Sequence, residues 1–208
     1  MTVPRESMDE IIGTRQSLRR KAIEDRENIP LALRQEWSAR IRAVLQAYTD
    51  DKHYSFIHCY LNFRSEVETR ELIGGLLRHG TRIIVPVVER MESEEPGSFQ
   101  ERLAHSEIEM ATELIKGRFG IEEPKLRSAS SLENLDAVIV PIVAFDRHGT
   151  RLGYGKGFYD VFLHDLPRAV ERIGLAFSIQ EIEYIPALSH DERLDRIITE
   201  REIIKIVA

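Results

Sequence analysis

Four short apolar runs constrain the fold of this chain more than any other feature. They are "YSFIHCYL" (54–61), "TRIIVPVV" (81–88), "DAVIVPIVAF" (136–145) and "ERIGLAFS" (171–178). Each is continuously apolar instead of alternating, so each needs burial on both faces, as a strand inside a parallel sheet does. Stretches with helical spacing separate them. Strands alternating with amphipathic helices imply βαβ units. The expected fold is therefore α/β, a three-layer αβα arrangement with a mostly parallel open sheet and helices on both faces. No repeat, low-complexity tract or linker interrupts the 208 residues, and a single domain over residues 1–208 is expected.

The first expected helix, about 9–27, is rich in arginine, with Arg15, Arg19, Arg20 and Arg26 around a sparse apolar stripe of Ile11, Ile12, Leu18 and Ile23. Pro30 suits the first turn of a second helix, with Asn28 as its cap. That helix carries Leu33, Trp37, Ile41, Val44 and Leu45 on one face. "ETRELIGGLLRHG" reads as a helix closed by Gly80, and "GFYDVFLHDL" has helical spacing. "MESEEPGS" reads as a charged loop, "FQERLA" as a strand, "EIEMATELIKG" as a short helix or loop, and "IIKIVA" as a terminal strand.

Several function classes drop out early. The formal net charge is −6, which gives no electrostatic support for nucleic-acid binding. No apolar run approaches the roughly 18 residues of a membrane span. "MTVPRESMDE" has no cationic start followed by an apolar block, so no signal peptide is expected and the cytoplasm is the expected location. The single cysteine, Cys59 within "FIHCYL", reads as a buried structural thiol.

The chemistry concentrates in "RLGYGKGFYD" (151–160), which follows the third apolar run and so lies at the carboxyl end of a strand, where open α/β sheets bind ligands. Gly153, Gly155 and Gly157 free the backbone so that N–H groups can converge on an anion. Arg151 and Lys156 add full positive charges. Together they describe a phosphate cradle. It is not a Walker A loop, because Thr150 and Gly157 occupy positions that need Gly and Ser/Thr, and its spacing is not that of the dinucleotide fingerprint. Tyr154, Phe158 and Tyr159 supply a wall for a flat ligand. Asp160 reads either as an acid in the first turn of a helix or as a Mg²⁺ ligand beside phosphates.

"PIVAFDRHGTRLGYGKGFYD" closely resembles the signature of the 5-formyltetrahydrofolate cyclo-ligases, P-x-x-A-F-D-x-x-G-x-R-L-G-x-G-x-G-[YF]-Y-D, and meets every fixed position from Pro141 to Asp160. "RQSLRR", "YLNFRSEVETRELI", "FGIEEP" and "IPALSHDERLDRIITE" resemble further blocks of that family in the same order. One departure is Arg15, where the family usually has lysine; a planar fork replaces a point donor.

The resemblance implies an ATP- and Mg²⁺-dependent enzyme that converts 5-formyltetrahydrofolate into 5,10-methenyltetrahydrofolate, releasing ADP and phosphate. It implies that Arg15, Arg19 and the run Arg151, Leu152, Gly153, Tyr154, Gly155, Lys156, Gly157, Phe158 and Tyr159 bind ATP, with Lys156 and Arg151 catalytic. It places Asp160 and Asp191 on Mg²⁺, and Phe63, Glu68, Tyr154 and Phe158 against the folate. Glu68 reads alternatively as an acid at the start of the "ETRELI" helix. His148 and His190 read as structural or rim residues. The expected partners are these small molecules alone, with no nucleic acid and no membrane, and a monomer is expected. The competing readings are a sugar-phosphate isomerase or coenzyme A transferase type of enzyme on a similar scaffold, and a non-catalytic folate- or nucleotide-binding protein.

Overall fold

A computed structural model describes residues 7–92, 98–128 and 131–207. The chain runs through α1 (Met8–Glu27), α2 (Leu31–Lys52), β1 (Phe56–Cys59), α3 (Arg70–Arg78), β2 (Arg82–Glu92), β3 (Phe99–Ile108), β4 (Leu114–Lys116) and β5 (Glu122–Pro124). It continues through β6 (Ala137–Pro141), β7 (Ala144–Phe145), β8 (Arg151–Leu152), α4 (Phe158–His164), β9 (Glu171–Leu175), β10 (Arg196–Ile198) and β11 (Ile203–Lys205).

Seven strands form one sheet in the order β11-β10-β9-β6-β1-β2-β3. The five inner strands are parallel; β3 and β11 pair antiparallel at the two edges. The continuous apolar runs have the expected cause. Ile57, Cys59, Ile83, Val85, Ala137 and Ile139 face one core with Ile41, Leu45, Leu72 and Leu76 of α2 and α3. The alternate residues Phe56, Ile84, Val138 and Val140 face a second core with Phe162 and Leu163 of α4. Every inner strand is thus sandwiched, and period-two alternation of polarity has no place in it. Cys59 is fully buried in the first core, and burial pushes its thiol pKa up, as befits a structural residue.

Three local expectations change. Asn28 does not cap α2; it closes α1, its N–H donating to Glu24 O at 3.0 Å. Pro30 stands at the N-cap of α2 with no side-chain cap. "EIEMATELIKG" (107–117), expected as a short helix or loop, forms no helix; residues 109–113 are loop and the rest belongs largely to strands. Pairing with β2 carries β3 as far as Ile108, and the chain then turns, with Thr112 N–H donating to Glu109 O, into β4. Ladder pairing to a long partner outweighs weak helical periodicity here. Of the expected loop "MESEEPGS" (91–98), Met91 and Glu92 end β2 and residues 93–97 lie outside the described residues. β10 is a strand that the sequence reading passed over. The helix closed by Gly80 is present as α3, and Gly80 takes φ +86° just beyond its end.

Helix α1 lies outside the layers. It crosses the carboxyl ends of the strands against β7 and the 3-10 turn Ser178–Gln180. Its buried side is only partly the apolar stripe expected: Leu18 and Ile23 pack on a small apolar cluster, but the most buried positions are others. Arg15, Ala22 and Arg26 are buried, while Ile12 is exposed. Positions 15, 19, 22 and 26 share one helical face; its three arginines meet loop oxygens, while Ala22 joins Val143, Ala144, Leu152 and Ile185 in a small apolar cluster. No helix among the described residues is long and apolar enough to cross a membrane.

Candidate active site

The carboxyl ends of β1, β2 and β6 open into one cavity of about 650 Å³, roofed by α1. Its cationic end is built from β6 onward. β7 and β8 form a tight hairpin whose turn is held by Asp146, which is fully buried and accepts from the N–H groups of His148, Thr150 and Ile185 at 3.0–3.1 Å. The hairpin delivers Arg151, 6% exposed, to the cavity wall, where it donates to Asp160 Oδ1 at 2.8 Å and to Glu192 O.

The glycine loop follows. Gly155 (φ +95°) and Gly157 (φ +71°) need their freedom of backbone; Gly153 does not, and offers open space instead. Gly157 leads directly into α4. An alanine at position 155 would hold an L-residue in a conformation that costs roughly 1–2 kcal/mol. The exposed loop can relax away from that geometry, so Gly155→Ala is expected to weaken binding of inorganic pyrophosphate at the loop about tenfold, with little change in melting temperature; titration calorimetry and a thermal melt check both.

From α1, Arg19 Nε donates to Gly153 O at 2.7 Å. Arg15 forks onto Asp191 at 2.6 and 2.9 Å and also reaches Pro186 O at 2.7 Å. Burial, then the neighbouring Arg15 cation, hold the Arg19 guanidinium below its ordinary pKa, against the pull of Asp191. Two crowded guanidinium groups beside an open glycine loop form a site that favours a polyanion. Lys156 reaches across the opening, its ammonium 3.4 Å from Glu101 and 5.3 Å from the centroid of Phe119.

The other end of the cavity is aromatic and acidic. Phe63 and Tyr154 meet edge to face at 6.3 Å, and Phe119 stands at the mouth. Glu66, 5% exposed, accepts the Phe63 N–H at 2.7 Å. Burial pushes its carboxyl up to about 7, although that hydrogen bond, Arg26 and Tyr154 pull the other way. Arg26 is 1% exposed and ties this end together, donating to Ser65 Oγ, Ile142 O and Tyr154 Oη at 3.0, 3.1 and 2.6 Å.

The cavity gathers Arg15, Arg19, Phe63, Arg151, Asp191 and every residue from Gly153 to Asp160. Two expected residues are not on its wall. Leu152 is fully buried in a small cluster with Ala22, Val143, Ala144 and Ile185, so only its backbone shapes the site. Glu68 does not line the cavity, its backbone N–H donating to Ser38 Oγ of α2 at 3.1 Å, and Glu66 lines it instead. The Phe63–Glu66 turn folds the Glu66 carboxylate back, and Val67 fills the core behind it. Arg26 and Glu66 are the residues that sequence reasoning missed. His190 lies on the rim and His148 is exposed.

Among the described residues no three His, Cys, Asp or Glu side chains converge as a metal cage. A Mg²⁺ carried by phosphates needs only one or two carboxylates. Asp160 fits that role: its Oδ1 accepts from Arg151 and from Glu192 N–H, and its Oδ2 is open among the described residues. Asp191 has both oxygens taken by Arg15, with Leu188 N–H as a further donor at 2.8 Å.

Fold and site together define an α/β enzyme with a polyanion-binding glycine loop at the carboxyl ends of a parallel sheet. The model of the 5-formyltetrahydrofolate cyclo-ligase family matches residues 11–200. The chain belongs to that family. It is 33% identical to the Escherichia coli K12 5-formyltetrahydrofolate cyclo-ligase over 147 residues, 69% of this chain and 77% of that one. It is 30% identical to the mouse enzyme of the same name over 89% of each chain. The NMR structure of Aquifex aeolicus 5,10-methenyltetrahydrofolate synthetase superposes with a TM-score of 0.77, at 27% identity and covering 93% of both chains.

Proposed function

We infer that this cavity carries out the cyclo-ligase reaction, converting 5-formyltetrahydrofolate and ATP into 5,10-methenyltetrahydrofolate, ADP and phosphate. The single observation that carries the division of labour is one cavity with two unlike ends: a cationic glycine loop at one, and Phe63, Tyr154 and a buried carboxyl at the other. The formamide oxygen of the substrate is a poor leaving group. It attacks the γ-phosphorus of ATP, the bond to ADP breaks, and the oxygen becomes part of a phosphate ester. N10 of the substrate then attacks the activated carbon, loses its proton, and phosphate departs as the ring closes.

No covalent enzyme nucleophile enters this sequence. The protein aligns donor and acceptor and offsets charge on the moving phosphoryl group. Arg151, Arg19, Arg15 and the Gly153–Gly157 backbone bind the phosphates, and Lys156 follows the group in transfer. Mg²⁺, when bound with the nucleotide, would neutralise phosphate charge, held by Asp160 and by Asp191 once Arg15 releases it. Glu66 accepts hydrogen bonds from the N–H groups of the reduced pterin, with Phe63 and Tyr154 packed on the ring system. Membership of the family displaces the isomerase, transferase and binding-protein readings.

The test is direct. Methenyltetrahydrofolate absorbs in the near ultraviolet and 5-formyltetrahydrofolate does not. Protein mixed with 5-formyltetrahydrofolate and Mg-ATP should produce that band, and its absence from folded, ATP-binding protein would sink the reading.

A further inference from the structure

The cations that α1 presents to the glycine loop already hold acceptors from the chain itself. Arg19 has Gly153 O. Arg15 has Pro186 O and, through both terminal nitrogens, the two oxygens of Asp191. This last pair is nearly sealed, with side chains 9% and 6% exposed. A planar guanidinium offered two oxygens in parallel is the geometry in which arginine takes a phosphate. The ammonium of a lysine could not make it.

We propose that Asp191 stands in for phosphate in the ligand-free protein. Its carboxylate occupies the fork of Arg15, and nucleotide binding exchanges the partners: Arg15 passes to a phosphate, and Asp191 passes to the divalent cation that arrives with it. This rests on the cyclo-ligase reading of the cavity. The physical reason lies in burial. Taking Arg15 from Asp191 alone would orphan a carboxylate already removed from water, which is strongly unfavourable. A divalent cation supplies the missing charge. Metal and nucleotide therefore each ease the entry of the other, and such coupling is reciprocal. Asp160, with one oxygen open, needs no exchange and contributes metal affinity without this coupling.

Calorimetric titration of the full chain with ATP, in Mg²⁺ and in EDTA, tests the exchange. The wild type should bind ATP at least about tenfold more weakly in EDTA. Asp191→Asn lets Arg15 leave without orphaning a charge. It should bind metal-free ATP roughly five- to tenfold more tightly than the wild type, with the Mg²⁺ dependence correspondingly reduced. Arg15→Lys, which cannot fork onto Asp191, should also show reduced Mg²⁺ dependence with the carboxylate intact. It decides the matter if Asp191→Asn does not melt as a folded protein. The exchange is overturned if folded Asp191→Asn binds metal-free ATP no more tightly than the wild type. Wild-type Mg²⁺ dependence in Arg15→Lys also overturns it. Wild type that binds no ATP in either buffer overturns the nucleotide reading itself, and the exchange with it; binding without altered coupling overturns the exchange alone.

Discussion

Replacing Lys156 with alanine is expected to lower turnover about a thousandfold, the scale seen when one preorganised charge is removed from the path of a phosphoryl group. The fold should be unaffected. The Lys156 side chain is 58% exposed and its ion pair with Glu101 spans 3.4 Å; such surface pairs contribute about 0–1 kcal/mol. A stopped assay of the methenyl band with a matched thermal melt separates the two effects. A rate within a few fold of wild type would mean that the transferring phosphate lies elsewhere along the Gly153–Gly157 loop. A fallen melting temperature would mean that Lys156 holds the loop to β3 instead of serving the reaction.

Glu66→Gln should produce opposite effects on binding and on stability. In the folded protein the Glu66 carboxyl is raised to about 7 from an ordinary 4.5. Between those values the folded protein keeps a proton that the unfolded chain has released, so stability is lost as pH rises from about 4.5 through 7. Glutamine has no such dependence. The variant should melt close to the wild type near pH 4.5 and several degrees above it at pH 8, for a difference on the order of 2–3 kcal/mol. Calorimetry at the two pH values reads it directly. At pH 8, where the wild-type carboxyl is ionised, KM for the folate should rise roughly 10- to 100-fold, the contribution of a charge-assisted hydrogen bond, and near pH 4.5 the rise should be much smaller. Higher stability with unchanged folate KM would place Glu66 outside the substrate contacts. An unchanged melting difference across pH would mean that the carboxyl is not perturbed by burial.

These two residues were not equally legible. Lys156 is in register by covalent connectivity alone: the alternation of glycine with Tyr154 and Lys156 is contiguous, and Gly155 and Gly157 hold the left-handed backbone that such a loop needs. Glu66 and Glu68 are both acids in "EVET", and the segment that carries them is neither strand nor helix. No periodicity says which one turns inward. The Phe63 N–H, Val67 in the core and Ser38 on α2 decide it, and Ser38 is thirty residues away. Arg26 was obscured for another reason. In an isolated helix an arginine reads as solvated, yet here its fork finds Ser65, Ile142 and Tyr154, three acceptors from three distant loops.

The sandwiched parallel sheet, the position of the glycine loop beyond β6, and the cations and aromatics of that loop can all be read from the linear chain. Those follow from burial on both faces of each inner strand and from residues joined through the chain. Three features emerge from the folded chain alone: α1 turns arginines inward, Glu66 and not Glu68 lines the cavity, and Asp191 holds Arg15. Each of these depends on which backbone acceptors and charges from remote segments come within hydrogen-bond reach. A buried polar group is stable only when such partners are present, and linear order does not reveal them.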